Sequence, residues 1–134
     1  MSAEENLELV RWRFTAHPML VDADDALREI YSPDVVLYGP GERFVGIEGI
    51  KQAGDITRAA FSEIEMAVEE MTAEGEDRVV TRIVGHSRHT GEFQGVPPSG
   101  KRVTVRGVIV SRIKDGRIVE EWRNMTWGVG DGAE

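Results

Sequence analysis

The side chains of this sequence that could transfer a proton near neutral pH are three histidines and a set of carboxylates. The absence of cysteine excludes a thiol nucleophile, a disulfide framework and cysteine-ligated zinc. His17 precedes Pro18, which favours a structural or exposed position in a loop. His86 and His89 have opposite parity on one predicted strand, so only one of them should face inward. For His89 two alternatives stay open, an acid or base and a histidine satisfied by loop carbonyl groups.

Strand parity limits which polar side chains of the predicted strand Ile118–Trp127 can act together, because successive side chains alternate between the two faces. One face carries Glu120, Trp122, Asn124 and Thr126, and the other carries Glu121, Arg123 and Met125. Glu120 is either a proton-transfer group or a charge at the rim of a pocket. In the first case, burial in the pocket would favour its protonated form. Asn124 and Thr126 could orient a substrate or a water by hydrogen bonding.

Tyr38 ends a short β-branched run, and its phenol could donate a hydrogen bond to a substrate carbonyl or epoxide oxygen. The alternative is a core tyrosine whose hydroxyl reaches the surface. Other large aromatic residues are more often core than substrate contacts, namely Trp12, Phe14, Phe61 and Trp122. No spacing of His, Asp and Glu resembles a metal-ligand set, so we expect no metal.

Length and composition favour a single domain over residues 1–134. Hydrophobic residues make up 40% of the chain and charged residues 30%, which excludes a disordered or fibrous chain. The 16 basic and 24 acidic residues give a net charge of −8, so we expect neither nucleic acid nor an anionic membrane as a partner. The N-terminal residues are unlike a signal peptide, and no apolar run approaches the ~20 residues that cross a bilayer. We therefore expect a cytoplasmic protein.

The first third of the chain is predicted to be helical. Apolar residues recur at helical spacing from Leu7 to Phe14. Asp22 can cap a second helix, which Pro33 closes. The apolar face of that helix consists of Ala26, Leu27, Ile30 and Tyr31. A short strand follows at Val35–Tyr38, and a third helix opens at Gly46 and runs to about Phe61.

The second half is predicted to form strands in hairpin succession. Apolar and acidic residues alternate from Ile64 to Val68, and longer strands follow at Val79–Thr90, Val103–Ile113 and Ile118–Trp127. The sequence Asp115-Gly116 between the last two strands is a strong hairpin signal. Helices followed by strands favour an α+β fold with helices on one face of an antiparallel sheet.

The segment from Arg88 to Lys101 reads RHTGEFQGVPPSGK and resembles the HTGEFxGxPPTGK loop of SnoaL-like polyketide cyclases, within the nuclear-transport-factor-2-like superfamily. Three other segments resemble the same family. Tyr31–Val36 is similar to its first strand entry, Gly46–Ile50 to the start of its third helix, and Asp115–Trp122 to its DGKIVEEW sequence.

The resemblance implies a cone-shaped fold in which three helices lie against a curved, mainly antiparallel sheet around a deep pocket. It also implies a homodimer and acid–base chemistry without metal or cofactor. The chemistry of the family ranges over ring closure, epoxide opening, isomerisation and ligand binding alone. The family's loop places His89 near the pocket mouth, and Tyr38 stands where the family often has a polar pocket residue.

Two positions depart from the family pattern. Thr126 stands where the cyclases usually carry an acid, four residues after the tryptophan. Asn124 stands where the related limonene-epoxide hydrolases have the aspartate of Trp-Arg-Asp. Neither side chain titrates near neutral pH, so neither can transfer the proton.

We therefore expect a small cofactor-independent enzyme that cyclises, isomerises or opens the epoxide of a polyketide-like, apolar and oxygenated molecule. The expected catalytic residues are Tyr38, His89 and Glu120, and the expected substrate contacts are Trp122, Asn124 and Thr126. The alternative is a noncatalytic ligand-binding or dimeric accessory module of the same fold.

Overall fold

The computed structural model describes residues 2–16, 24–39 and 41–129. His17 and Asp22 lie outside these ranges. The described elements are α1 (Ala3–Ala16), α2 (Asp24–Ile30), β1 (Tyr31–Gly39), β2 (Glu42–Val45), α3 (Gly46–Ala60), β3 (Phe61–Glu74), β4 (Arg78–His89), β5 (Arg102–Lys114) and β6 (Arg117–Val129).

The strands form one mixed sheet in the order β2-β1-β6-β5-β4-β3. Strand β1 pairs with β6 in parallel, whereas the other neighbouring strands are antiparallel. Asp115 and Gly116 connect β5 to β6 with φ angles of 52° and 78°, as a tight hairpin turn requires. The predicted α+β fold, its antiparallel hairpins and this turn are confirmed.

The start of the sheet differs from the prediction. Tyr31 begins β1 and does not end α2, and Pro33 lies within β1, where the pairing with β6 shifts register. Proline has no N–H to donate to a neighbouring strand. At a register shift no hydrogen bond of the sheet requires that donor, so Pro33 is tolerated there. Strand β2 was not predicted, because its short charged sequence from Glu42 to Val45 has no apolar alternation.

The apolar core lies between the three helices and one face of the sheet, which we call the inner face. In α3 the buried residues Ile47, Ile50 and Ala53 follow a helical spacing, and in α1 Val10 and Phe14 do the same. They pack in one cluster with inward side chains of the strands, among them Leu37 and Ile109. None of the described helices is long and apolar enough to span a membrane.

We expect Gly116→Ala to destabilise the protein by about 1–2 kcal/mol, because a Cβ atom strains the left-handed backbone of this turn. Chemical denaturation measures the loss. Gly39→Ala is the matched control, since a Cβ at Gly39 would meet no atom within 4 Å. Equal losses in the two variants would show that the turn does not depend on glycine.

Candidate active site on the inner face of the sheet

A buried carboxylate, Glu121 of β6, lies at the centre of the inner face with 0% exposure. Arg13 of α1 binds it with two hydrogen bonds, from Nε to Oε2 at 3.2 Å and from Nη2 to Oε1 at 2.9 Å. The hydroxyl of Tyr31, the first residue of β1, donates to Oε2 at 3.2 Å. The carboxylate therefore joins one helix and two strands through charge-assisted hydrogen bonds.

The charge states of this cluster follow from its burial and its contacts. Burial alone would raise the pKa of Glu121, but the charge and hydrogen bonds of Arg13 outweigh it and hold the pKa below its ordinary value. Burial raises the pKa of Tyr31, so its phenol stays a neutral donor. For Arg13, burial opposes the charged form, yet the charge of Glu121 raises the pKa of the guanidinium overall.

Arg123 is a second guanidinium on the same face, two residues beyond Glu121. Its Nε lies 4.0 Å from Oε1 of Glu121, and its side chain is 17% exposed. Burial lowers the pKa of Arg123, partly opposed by the charge of Glu121. Since arginine titrates far above neutral pH, Arg123 remains a cation.

Arg13 and Arg123 both line a cavity between α1, α3 and the sheet, with about 740 Å³ of empty space including its mouth. Its apolar wall consists of Phe61, Ile64, Met66, Val105, Ile109, Met125 and Trp127. Ser87 and Thr57 add hydroxyl groups, and Glu65 and His86 border it. The cavity thus combines an apolar wall with two guanidinium groups and, at its border, the exposed carboxylate of Glu65.

A second cavity, of about 610 Å³ including open space, adjoins the first. The two share Thr57, Phe61, Arg123, Met125 and Trp127. Phe61 stacks on Trp127 with 4.9 Å between ring centroids and meets the edge of Phe93 at 5.0 Å. Phe61 and Trp127 line both cavities and Phe93 lines the second, and we call these three rings the aromatic mouth.

Three of the predicted site residues come together, but on the outer face of the sheet. The ring of Tyr38 stacks on Trp122 at 5.6 Å, and its hydroxyl lies 3.4 Å from Oε2 of Glu120. Arg112 also donates from Nε to Oε1 of Glu120. Asn124 and Thr126 are exposed on the same face.

One pocket lined by Tyr38, Glu120, Trp122, Asn124 and Thr126 was the expectation. The structure instead places these residues on the outer face, away from the two inner cavities. The two inner cavities are lined by the opposite face of β6. Glu120 instead borders an open groove on the outer face. The catalytic and substrate-binding roles of the five residues stay predictions.

A β-bulge at Val119 explains the difference. Ile118 pairs with Ile113, whereas Glu120 pairs with Arg112, so Val119 is an extra residue in β6. Ile118 and Glu121 are both fully buried although they have opposite parity. Uninterrupted alternation from Ile118 would turn Glu120 inward, and the bulge turns Glu121 inward instead.

His89 is buried beside the aromatic mouth. Its ring lies 5.5 Å from that of Phe61, a residue that lines both cavities. Its Nδ1 is 3.4 Å from Oγ of Ser99, and its Nε2 is buried with no hydrogen-bond partner among the described residues. His86 instead pairs Nδ1 with Oγ1 of Thr104 at 3.2 Å.

Sequence reasoning missed Arg13, Tyr31, Glu121 and Arg123 as site residues. The alternate pair Glu121-x-Arg123, on the strand face that also carries Met125 and Trp127, was the available signal, but the sequence does not reveal the bulge that turns this face inward. Within the described ranges, no three His, Asp or Glu side chains group as metal ligands do.

Comparison with known proteins gives a family. The profile of the SnoaL-like polyketide cyclases matches residues 21–125. A candidate SnoaL-like polyketide cyclase from Jannaschia sp. CCS1 is 29% identical, with a TM-score of 0.82 over 91% of this chain and 85% of that one. AclR, a candidate hydroxylase from Streptomyces galilaeus, is 30% identical, with a TM-score of 0.74 over 94% of this chain and 77% of that one.

A more distant structure supports the fold alone. A protein with a ketosteroid isomerase-like fold from Catenulispora acidiphila is 16% identical, with a TM-score of 0.68 over 87% of this chain and 84% of that one. No curated protein sequence matches the chain significantly.

We expect Glu121→Gln to destabilise the protein by about 3–5 kcal/mol, because it leaves the buried guanidinium of Arg13 without its carboxylate. Glu120→Gln is the matched control. Its side chain is 24% exposed and pairs with Arg112 on the outer face, so the loss should stay within about 1 kcal/mol. Denaturant unfolding at pH 7 measures both.

The Glu121 variant should also change the acid dependence of stability. The folded pKa of Glu121 lies below its ordinary value of 4.5, so its contribution is complete above that value and disappears as the pH falls through the folded pKa. The stability gap between wild type and Glu121→Gln should therefore narrow on acidification. A gap independent of pH would contradict this assignment.

Proposed function

The chain belongs to the SnoaL-like polyketide cyclase family, and on that basis we propose that its inner cavity performs cofactor-independent acid–base chemistry on an apolar, oxygenated small molecule of polyketide type. The reaction class is cyclisation, isomerisation or epoxide opening. The observation that carries the proposal is an apolar cavity with a guanidinium, Arg123, fixed beside an aromatic mouth.

These reactions all develop negative charge on an oxygen atom, as an enolate or as the alkoxide of an opened epoxide. Arg123 supplies a positive charge and hydrogen-bond donors for such an oxygen, in surroundings that exclude much of the water. Its position is supported electrostatically by Glu121, which Arg13 and Tyr31 hold in place. Phe61 and Trp127 would contact the apolar rings of the substrate.

We propose His89 as the proton-transfer group. His89 lines neither inner cavity itself, but its ring packs against Phe61, which lines both, and Ser99 can orient the imidazole through Nδ1. The buried Nε2, which has no partner among the described residues, can then exchange a proton with a ligand at the mouth. The alternative assignment makes Tyr38 the donor and Glu120 the base for a ligand on the outer face, with Trp122, Asn124 and Thr126 beside them.

Substitution of His89 on the inner face and of Glu120 on the outer face shows which face of the sheet performs the chemistry. Turnover is measured on a panel of enolisable aromatic ketoesters and apolar epoxides, with ligand binding measured separately. His89→Gln should lower kcat by about 10²- to 10⁴-fold while binding persists. Glu120→Gln should keep full turnover. The reverse result would move the chemistry to the outer face, and full turnover in both variants would overturn both assignments.

A second candidate function is ligand binding without turnover. It is favoured by Asn124 and Thr126, which replace acids of the family pattern, and by the presence of Arg13 and Arg123 in the cavity lining, since neither guanidinium can transfer a proton near neutral pH. A wild-type protein that binds the panel but converts none of it would support this function and reject the enzymatic one.

We also propose that the outer face forms a homodimer, as the family resemblance implies. Val110 lies there between Val80 and Trp122 on neighbouring strands, and all three are partly buried within the single chain. Such apolar side chains on an open sheet face are typical of an association surface.

Light scattering at micromolar concentration should give twice the monomer mass for the wild-type protein. Val110→Glu should give a monomer, because it places a charge among apolar side chains of the interface. Gln52→Glu adds the same charge on the exposed side of α3 and should leave the dimer intact. A wild-type monomer, or a dimer of Val110→Glu, would contradict this interface.

A further inference from the structure

The loop that connects β4 to β5 is bonded at its far end to the last residue of β4, His89. The backbone N–H of His89 donates to the carbonyl oxygen of Lys101 at 2.9 Å, and the N–H of Gly100 donates to the carbonyl oxygen of His89 at 2.8 Å. Nη1 of Arg88 also donates to the carbonyl oxygen of Gly100 at 2.9 Å. These bonds bring Ser99 beside the imidazole, with Oγ 3.4 Å from Nδ1 of His89.

A second contact of the Ser99 hydroxyl decides how it can meet the imidazole. The backbone N–H of Lys101 donates to Oγ of Ser99 at 3.3 Å. An amide N–H can only donate, so this bond uses one of the two lone pairs of Oγ. Ser99 is exposed, so its own O–H can donate to solvent, and the second lone pair of Oγ is left for Nδ1 of His89. The hydroxyl is therefore placed to accept a proton donor at Nδ1.

The other imidazole nitrogen has different surroundings. Nε2 of His89 is buried and has no hydrogen-bond partner among the described residues. A proton on Nε2 would be a buried donor without an acceptor, and buried N–H groups without a partner are rarer in proteins than acceptors without one. The ring of Phe61 packs against the imidazole with 5.5 Å between centroids, which opposes rotation of the imidazole away from Ser99. The contacts of both nitrogens therefore favour a proton on Nδ1.

From these contacts we infer that Ser99 is a positioning residue, which holds the neutral His89 with its proton on Nδ1 and its lone pair on Nε2. His89 therefore begins as a proton acceptor at Nε2 and not as a proton donor. Ser99 lines neither inner cavity, so it acts through His89. The inference rests on the proposed function in one respect, that His89 is the residue that transfers the proton.

The hydrogen bond to Ser99 supports both protonation states of His89. When Nε2 accepts a proton from the ligand, the electron pair of the broken bond stays on the ligand as one negative charge, and the imidazole becomes a cation. Nδ1 keeps its proton throughout and continues to donate to Oγ of Ser99. A hydrogen bond from a cation is stronger than one from a neutral donor, so this contact strengthens as the proton arrives. Return of the proton from Nε2 to the ligand restores the neutral imidazole.

Nitrogen-15 NMR of the imidazole rings measures the tautomer directly, at about pH 9, where histidine in solution is neutral. The nitrogen shifts of wild-type His89 should show the proton on Nδ1. Ser99→Ala should lower the ratio of the Nδ1–H tautomer to the Nε2–H tautomer about 2- to 10-fold, because one hydrogen bond is lost. Ser99→Thr keeps a hydroxyl on the same atom of the side chain and should restore the ratio.

Thr104→Val is the matched control, because Oγ1 of Thr104 lies 3.2 Å from Nδ1 of His86, the other histidine that the structure describes. This substitution should change the signals of His86 and leave those of His89 unchanged. Backbone amide spectra verify that each variant keeps the fold. If Ser99→Ala does not fold, Ser99→Cys takes its place, since a thiol is a weaker hydrogen-bond partner than a hydroxyl.

Kinetics test the same contact on any substrate that the proposed panel identifies. Ser99→Ala should lower kcat about 3- to 10-fold and leave KM unchanged, because Ser99 does not line the cavities. In a protein that already carries His89→Gln, the same substitution should have no further effect, because Ser99 acts only through the imidazole.

A wild-type His89 that carries its proton on Nε2 would overturn the inference, as would an unchanged tautomer ratio in folded Ser99→Ala. These NMR results do not depend on turnover. A protein that shows the expected tautomers but converts no substrate supports the positioning by Ser99 and rejects the proposed enzymatic function. A protein whose turnover requires His89 but not Ser99 keeps that function and loses the inference.

Discussion

The burial of the Glu121 carboxylate is the constraint on which the arrangement of the inner face depends. A carboxylate taken from water without partners costs several kcal/mol, so the fold must bring donors to it. Arg13 comes from the N-terminal helix and Tyr31 from the start of β1, distant from Glu121 in sequence. Docking of α1 on the sheet, the entry of β1 beside β6 and the shape of the cavity wall are therefore coupled through one side chain.

The bulge at Val119 is what makes this burial possible. It lets Ile118 fill the apolar core at one end of β6 and still turns Glu121 and Arg123 inward farther along the same strand. It also turns Glu120 outward, where Arg112 and Tyr38 meet it at a partly exposed site. Two adjacent glutamates thus have different surroundings, one as the buried anchor of a cavity and one at a partly exposed site on the outer face.

More of the fold than of the site could be predicted from the sequence. Asp115-Gly116 predicted a turn from local conformational preference, and the apolar spacing of α3 predicted its buried side, since both depend on neighbours in sequence. The inner face of β6 could not be predicted, because one extra residue inverts parity and nothing in the residues around Val119 signals it. Arg13 and Tyr31 become site residues only through long-range contacts with Glu121, which no local pattern encodes.

The chain has a net charge of −8, yet two guanidinium groups line its inner cavity. The two features do not cancel, because the surface charges and the cavity charges act over different distances. At physiological ionic strength, exposed charges are screened beyond about 8 Å, so surface carboxylates repel an approaching anion only weakly. Inside the cavity, few counterions intervene, and the charges of Arg13 and Arg123 act at contact distance. Surface acidity therefore opposes nonspecific binding of polyanions, while the guanidinium groups of the inner face act at short range on the contents of the cavity.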